Sequence, residues 1–205
     1  FYASQERVPY SLATAVQLNG KEMSYNNIQD ANAALNIVRT HGPDAINART
    51  IAAALDCSTQ PIFSNFATME ELRMAVVEKA YDHYLSYVHQ DTASGEYPPY
   101  KATGMAYIRF AKEEKELFKL LYMRDRGNTR DRWEDESFNS MASFVQSYTG
   151  LSESNASLFH LEMWAFVHGI ATMFATDFLD LDWELVSKML TDVYQGLRKR
   201  YEMEE

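Results

Sequence analysis

Apolar residues recur at spacings of three and four along most of the chain, and no run alternates apolar and polar residues long enough to build a sustained strand. The pattern predicts an all-α protein of about nine helices. The first clear helix covers residues 26–40, with Ile28, Ala31, Ala34, Leu35 and Val38 on one face, and Gly42-Pro43 ends it. Asn47 suits the N-cap of a short helix over 48–55. Asp56-Cys57-Ser58 makes a turn, and a second short helix follows over 59–65. Thr68 caps a long helix over 69–89 that carries Leu72, Val76, Ala80, Tyr84 and Val88 in register. Residues 92–99 form a loop, and 102–113 and 116–123 form two further helices. A charged connection at 124–132 alternates four arginines with Asp125 and Asp131, which suits a solvated, self-paired loop. Residues 133–149 are helical up to Gly150. Ser152 or Ser154 caps a long helix to about residue 179, and Asp182 opens the last one. Arg198, Lys199 and Arg200 lie near the C-terminal end of that helix, where cations meet the dipole favourably. Residues 1–24, with Pro9 and an Asn19-Gly20 turn signal, read as an arm or a short extra element.

Composition narrows the class. The chain has 205 residues, enough to bury a real core, and 46% hydrophobic with 23% charged residues is ordinary for a globular protein. The single cysteine, Cys57, excludes an internal disulfide and points to a reducing, cytoplasmic setting. The apolar stretch 158–179 is interrupted by His160, Glu162, His168 and Asp177, so it reads as a buried helix with no membrane partner. The net charge of −10 opposes phosphate binding. Residues 24–80 hold four basic and six acidic residues, a net −2, and residues 81–205 hold thirteen and twenty-one, a net −8. Most of the acidity therefore lies outside the segment with the two short helices.

That segment carries a resemblance. Thr40-His41-Gly42, then Arg49-Thr50-Ile51-Ala52, Ser58, Ile62-Phe63-Ser64-Asn65-Phe66 and Glu70-Glu71-Leu72 follow one another without a gap. In order and spacing they resemble the helix-turn-helix domain of the tetracycline-repressor (TetR) family. The physical logic agrees. Ile51, Leu55, Ile62 and Phe66 make a small core that holds two short helices at a fixed angle, and the second helix turns its polar face to a major groove about 12 Å wide. The DNA-binding candidates are Asn47 and Arg49 beside the phosphates, Ser58, Thr59, Gln60, Ser64 and Asn65 on the exposed polar face, and Pro61 and Phe63 in the same short helix. Three positions depart from the family pattern. Phe63 stands where a tyrosine is usual, Pro61 where a hydroxyl residue is frequent, and Met69 where lysine is common. They predict fewer phosphate contacts and a shallower salt slope.

A second resemblance lies further on. Gly104-Met105-Ala106-Tyr107-Ile108-Arg109-Phe110-Ala111, Glu116-Leu117-Phe118, and Trp164-Ala165-Phe166-Val167-His168-Gly169 look like the TetR C-terminal domain of the Trp-His-Gly type. The resemblance implies an effector pocket and a homodimer joined through the last two helices. The candidate pocket residues are Tyr107, Phe110, Phe118, Tyr122, Met141, Phe144, Trp164 and His168. Aromatics and methionines at helical spacing serve equally well as plain core. The candidate dimer residues are Phe166, Gly169, Ile170 and Met173 on one helix, and Val186, Leu190, Val193 and Leu197 on the other. A helix apolar nearly all round, as 158–179 is, needs cover on more than one side.

The expected organisation is an arm over 1–24, a DNA-binding domain over 25–70 and an effector-binding and dimerising domain over 71–205. No Gly-rich phosphate loop, nucleophile elbow or His-Glu metal motif occurs, so neither an enzyme, a cofactor nor a metal is expected. His160 and His168 lie two helical turns apart, too far for a shared metal. The expected partners are a double-stranded DNA operator, a small-molecule effector and a second copy of the chain. The alternative is a ligand-binding dimer of the same fold that has lost DNA binding, with an all-helical enzyme behind it.

Overall fold

The computed structural model describes the backbone of residues 17–18, 21–22, 25–123 and 132–204, and the side chains of residues 29–123 and 138–201. The rest of the predicted arm and most of the arginine-rich connection lie outside the described residues.

Nine α-helices and one 3-10 turn make up nearly all of the described chain. They are α1 (Tyr25–His41), α2 (Ala48–Ala54), α3 (Gln60–Asn65), α4 (Met69–Ser94), α5 (Pro99–Glu113), α6 (Lys115–Tyr122), α7 (Arg132–Thr149), α8 (Glu153–Ala175) and α9 (Trp183–Glu204). The only strands among the described residues are β1 (Gln17–Leu18) and β2 (Lys21–Glu22), an antiparallel pair in which Leu18 faces Lys21. They flank the Asn19-Gly20 signal, the dipeptide that best suits a two-residue hairpin.

Helix starts follow their caps. The Asn47 side chain accepts from the N–H groups of Arg49 and Thr50, and the Thr50 hydroxyl takes the Asn47 N–H, closing a capping box at α2. Thr68 caps α4 through the Glu71 N–H at 3.1 Å. Ser152, rather than Ser154, caps α8. Asp182 receives the N–H groups of Glu184 and Leu185 at the start of α9.

Helix ends account for the departures from the sequence reading. Helix α4 continues through Ser94, past the predicted stop at 89. Nothing breaks it before Gly95 (φ +71), and the hydroxyls of Thr92 and Ser94 bond back to the carbonyls of Val88 and Asp91. Helix α8 stops at Ala175, earlier than predicted. There Asp177 (φ +55) takes the left-handed position usually held by glycine, and the N–H groups of Asp177 and Phe178 close onto Phe174 and Met173. Asp56 (φ +50) ends α2 in the same way, with its own N–H and that of Cys57 on the carbonyls of Ala53 and Ala52. Helix α5 begins at Pro99, three residues before the predicted start, because proline is well placed in a first helical turn.

The chain divides into two compact units. One comprises Leu12–Ser86 and Phe110–Arg124, and so holds α1 to α3, most of α4, and α6. Its core includes Ala31, Ala34, Val38, Ile51, Ile62, Phe66, Leu72 and Val76, all buried. The other includes Tyr87–Arg109 and Asp125–Glu205, hence most of α5 and all of α7 to α9. There Phe159, Met163, Tyr201, Val145 and Leu151 form a buried cluster, with Tyr100, Val193, Tyr194 and Leu197 packed against it. By length and apolarity alone α8 qualifies to cross a membrane. In the fold, however, Phe159, His160, Met163, Val167, Ile170 and Phe174 on α8 are buried against protein.

Candidate nucleic-acid interface and effector residues

Helices α1, α2 and α3 pack against one another. Ile51 on α2 and Ile62 on α3 are buried with Phe66, as the sequence requires, whereas Leu55 is only half-buried. Burying Ile62 turns the opposite face of α3 to solvent, where Gln60, Pro61, Phe63 and Ser64 are exposed. Ser58 is also exposed and Thr59 half-buried. Phe63 is the outlier, with 54% of its surface accessible, since an aromatic ring of that size normally finds cover.

The polar groups of this region are partly spoken for. The Asn65 amide donates to the Asp30 carboxylate of α1 at 2.8 Å, a contact 35 residues apart that no local pattern signals. Ser64 donates its hydroxyl to the Gln60 carbonyl at 3.0 Å. The Asn47 side-chain oxygen is used by the α2 cap. Arg49 is exposed, and no carboxylate among the described residues pairs with it. Cys57 is exposed in the turn.

In the same unit, one carboxylate ties three helices together. Glu114, at the break between α5 and α6, is buried. It receives Nε of Arg39 (α1) at 2.8 Å and Nη2 at 2.5 Å, and its Oε1 lies 3.1 Å from Nε2 of His83 (α4). The sequence reading did not single out this triad, because its members are separated by 31 to 75 positions. Glu78, also on α4, is the opposite case. Its Oε2 is buried with no hydrogen-bond partner, and burial, followed by the nearby Asp82 charge, raises its carboxyl above the usual range.

The predicted effector residues fall into separate groups. Phe110 and Phe118 are fully buried in the helix-turn-helix unit. Tyr84 stands edge-on to Phe110 and to Tyr122, and Phe118 packs on Tyr122 with centroids 5.1 Å apart. In the other unit Tyr107 hydroxyl lies 2.9 Å from Nδ1 of His168, and the imidazole stacks on Trp164 at 4.9 Å. Trp164 keeps 39% of its surface exposed. Phe144 stacks between Tyr100 and Tyr148, and Met141 is buried. The same donor–acceptor pair recurs one step along α5 and α8, where Tyr100 hydroxyl lies 2.9 Å from Nδ1 of His160. Burial lowers His160 to about 4, so this imidazole is neutral near pH 7. Two tyrosines seven apart on α5 thus meet two histidines eight apart on α8.

The predicted dimer residues divide too. Ile170, Val186 and Leu190 are buried within the chain, and Phe166, Met173, Val193 and Leu197 are half-buried. A side chain added at Gly169 would meet nothing within 4 Å, whereas one at Gly104 would come within 3.2 Å of Leu190. The close helix approach inside this unit is therefore at Gly104 on α5. Leu158, Leu161 and Trp164 on α8 and Leu185 on α9 remain 39–46% exposed. Among the described residues no group of three His, Cys, Asp or Glu side chains could hold a metal ion.

Comparison with known proteins finds two likenesses in one chain. Residues 1–62 match the AICARFT/IMPCHase bienzyme family. The bifunctional purine biosynthesis protein of Shouchella clausii (strain KSM-K16) is 64% identical over 39 residues, which are 19% of this chain and 8% of that protein. The corresponding protein of Streptococcus suis (strain 05ZYH33) is 30% identical over 140 residues, 60% of this chain and 26% of that protein. The chain thus spans about a quarter or less of the length of these curated relatives. Residues 100–193 match the tetracyclin repressor-like C-terminal domain. Among solved structures, a protein of unknown function from Rhodococcus sp. RHA1 is 19% identical with a TM-score of 0.68, covering 90% of this chain and 99% of that one. A TetR-family member from Streptomyces coelicolor A3 is 18% identical with a TM-score of 0.58, covering 83% and 98%. The multidrug binding protein EbrR, solved with imidazole, is 17% identical with a TM-score of 0.61, covering 87% and 97%. At this identity the solved neighbours establish the all-α fold. The family match extends over most of α5 to α9. The chain is thus similar to the tetracyclin repressor-like C-terminal domain over residues 100–193, just under half of its length, within an all-α fold that its solved neighbours share.

Proposed function

We propose that the protein is a dimeric, ligand-responsive repressor that acts in the cytoplasm on a pseudo-palindromic operator. The observation that carries the reading is the α2–turn–α3 element, whose core residues Ile51, Ile62 and Phe66 are buried while Gln60, Pro61, Phe63 and Ser64 face solvent. A twofold dimer would set its α3 helices in successive major grooves, about 34–36 Å apart. Arg49, exposed and without a carboxylate partner among the described residues, is the phosphate contact of α2.

The second subunit packs on the apolar stripe of α8, made by Leu158, Leu161 and Trp164, together with Leu185 of α9. A small aromatic or apolar effector is held near Tyr107, His168 and Trp164, where one hydrogen-bonded imidazole lies against an indole face. Effector binding favours a conformation with the wrong spacing of the α3 helices and so releases DNA. Helix α4, continuous from Met69 to Ser94, connects the two ends of that change.

Selection of binding sites from random duplex DNA, at low and then near-physiological salt, tests the reading. Recovery of an inverted repeat with halves about one helical turn apart supports it. A second reading, a ligand-binding dimer without DNA binding, is favoured by the uncharged α3 face and by the occupied amides of Asn65 and Asn47. It predicts that no motif is recovered even at low salt.

A further inference from the structure

The polar capacity of the α3 face is small once its internal bonds are counted. Asn65 gives its amide to Asp30, Ser64 gives its hydroxyl to the Gln60 carbonyl, and Asn47 is engaged in the α2 cap. No Lys, Arg, Asp or Glu lies between Cys57 and Met69. What α3 offers to solvent is the Gln60 side-chain amide, which has no partner among the described residues, the Ser64 hydroxyl oxygen as an acceptor, and two apolar groups, the Pro61 ring and the 54%-exposed Phe63. Gln60 and Phe63 are three residues apart, hence neighbours on one side of the helix.

An A·T pair shows the major groove an adenine N7 and N6 that suit a glutamine amide, and a thymine methyl that suits an apolar side chain. A G·C pair has no methyl and is read best by arginine or lysine, which this face lacks. We propose that α3 is a reader of 5-methylpyrimidines, in which Phe63, flanked by Pro61, packs against thymine methyl groups while Gln60 contacts a neighbouring adenine. Phe63 then acts at the bases through its bare ring edge. The hydroxyl that a tyrosine would bring to a phosphate is not part of its role. This specificity rests on the DNA-binding reading above.

The test uses duplexes carrying the selected operator with thymine in each half-site replaced by deoxyuridine, which removes the methyl and keeps the base pairing. Binding of the full-length protein is followed by fluorescence anisotropy at low salt. Wild type is expected to lose about fourfold in affinity for each contacted methyl, as follows from the burial of one methyl-sized group. The Phe63→Ala variant is expected to bind thymine and deoxyuridine duplexes alike. Its side chain is largely exposed, so it should keep the wild-type melting temperature. Equal binding of the two duplexes by wild type overturns the methyl assignment and leaves DNA binding standing. A thymine preference that survives in Phe63→Ala likewise removes Phe63 from the role. Recovery of no motif in the selection removes both the DNA-binding reading and this one.

Discussion

The Glu114 triad makes a quantitative prediction, because its two principal members differ in exposure. The Arg39 side chain is 43% exposed and that of Glu114 only 8%. At about 3 Å and an effective dielectric constant near 20, the gross attraction is about 5 kcal/mol. Desolvation of the carboxylate and the half-solvated guanidinium take back much of that. The two single substitutions are therefore unequal. Arg39→Met strands a buried carboxylate with only the His83 imidazole as partner, which costs about 2–4 kcal/mol. Glu114→Met frees a guanidinium that can turn to water, at a cost of about 1 kcal/mol. The double variant should resemble Glu114→Met, giving a coupling of about 2–4 kcal/mol. Urea unfolding at pH 7, at fixed protein concentration and followed by circular dichroism, measures all four corners of the cycle. Additivity of the single variants within about 0.5 kcal/mol would refute the assignment of Glu114 as the tie between α1, α4 and α6.

Three further outcomes are expected. His160 has its folded pKa lowered from 6.5 to about 4, so between those values the unfolded chain binds a proton that the folded chain does not. Stability should therefore be complete above that window and fall as pH drops through it, by about 3 kcal/mol at its acid end. Urea midpoints between pH 7 and pH 4 should show a shallower decline in His160→Gln than in wild type. Glu78 has the opposite sign, since its raised carboxyl pKa makes ionisation cost folded-state stability as pH rises. Glu78→Gln should raise the urea midpoint at pH 7, and the gain should fade near pH 4; a loss at pH 7 would show that the carboxylate is satisfied. Asn47→Ala removes the capping box of α2 and should lower stability by about 1 kcal/mol in the same assay, a value indistinguishable from zero counting against the cap.

Where the sequence was legible, a short-range chemical signal was present. The α2–turn–α3 boundaries fall within a residue of the periodicity because Asn47 caps α2 and Ile51, Ile62 and Phe66 supply the buried positions around the turn. The end of α8 was misplaced because an aspartate, not a glycine, holds the left-handed position. The aromatic candidates read as one pocket because the same residue types fill cores and pockets. In the fold, Phe110 and Phe118 are core of one unit, and Tyr107, Trp164 and His168 meet in the other. The partners of Asn65 and Glu114 were invisible, since Asp30, Arg39 and His83 stand 31 to 75 positions away. Periodicity carries no information about pairing at that range.

The first helix has a consequence of its own. It meets its neighbours through Ala31, Ala34 and Val38, two methyl groups and an isopropyl group, with Asp30 as its one buried polar side chain. A seat that shallow selects for register and hardly at all for shape. The match to the purine bienzyme family over residues 1–62 takes in all of α1 and α2, and α1, α2 and α3 pack against one another. Helix α1 is in this sense a replaceable part, and any helix with small residues at positions 31, 34 and 38, an acid at 30 and an arginine at 39 to meet Glu114 should fill its seat.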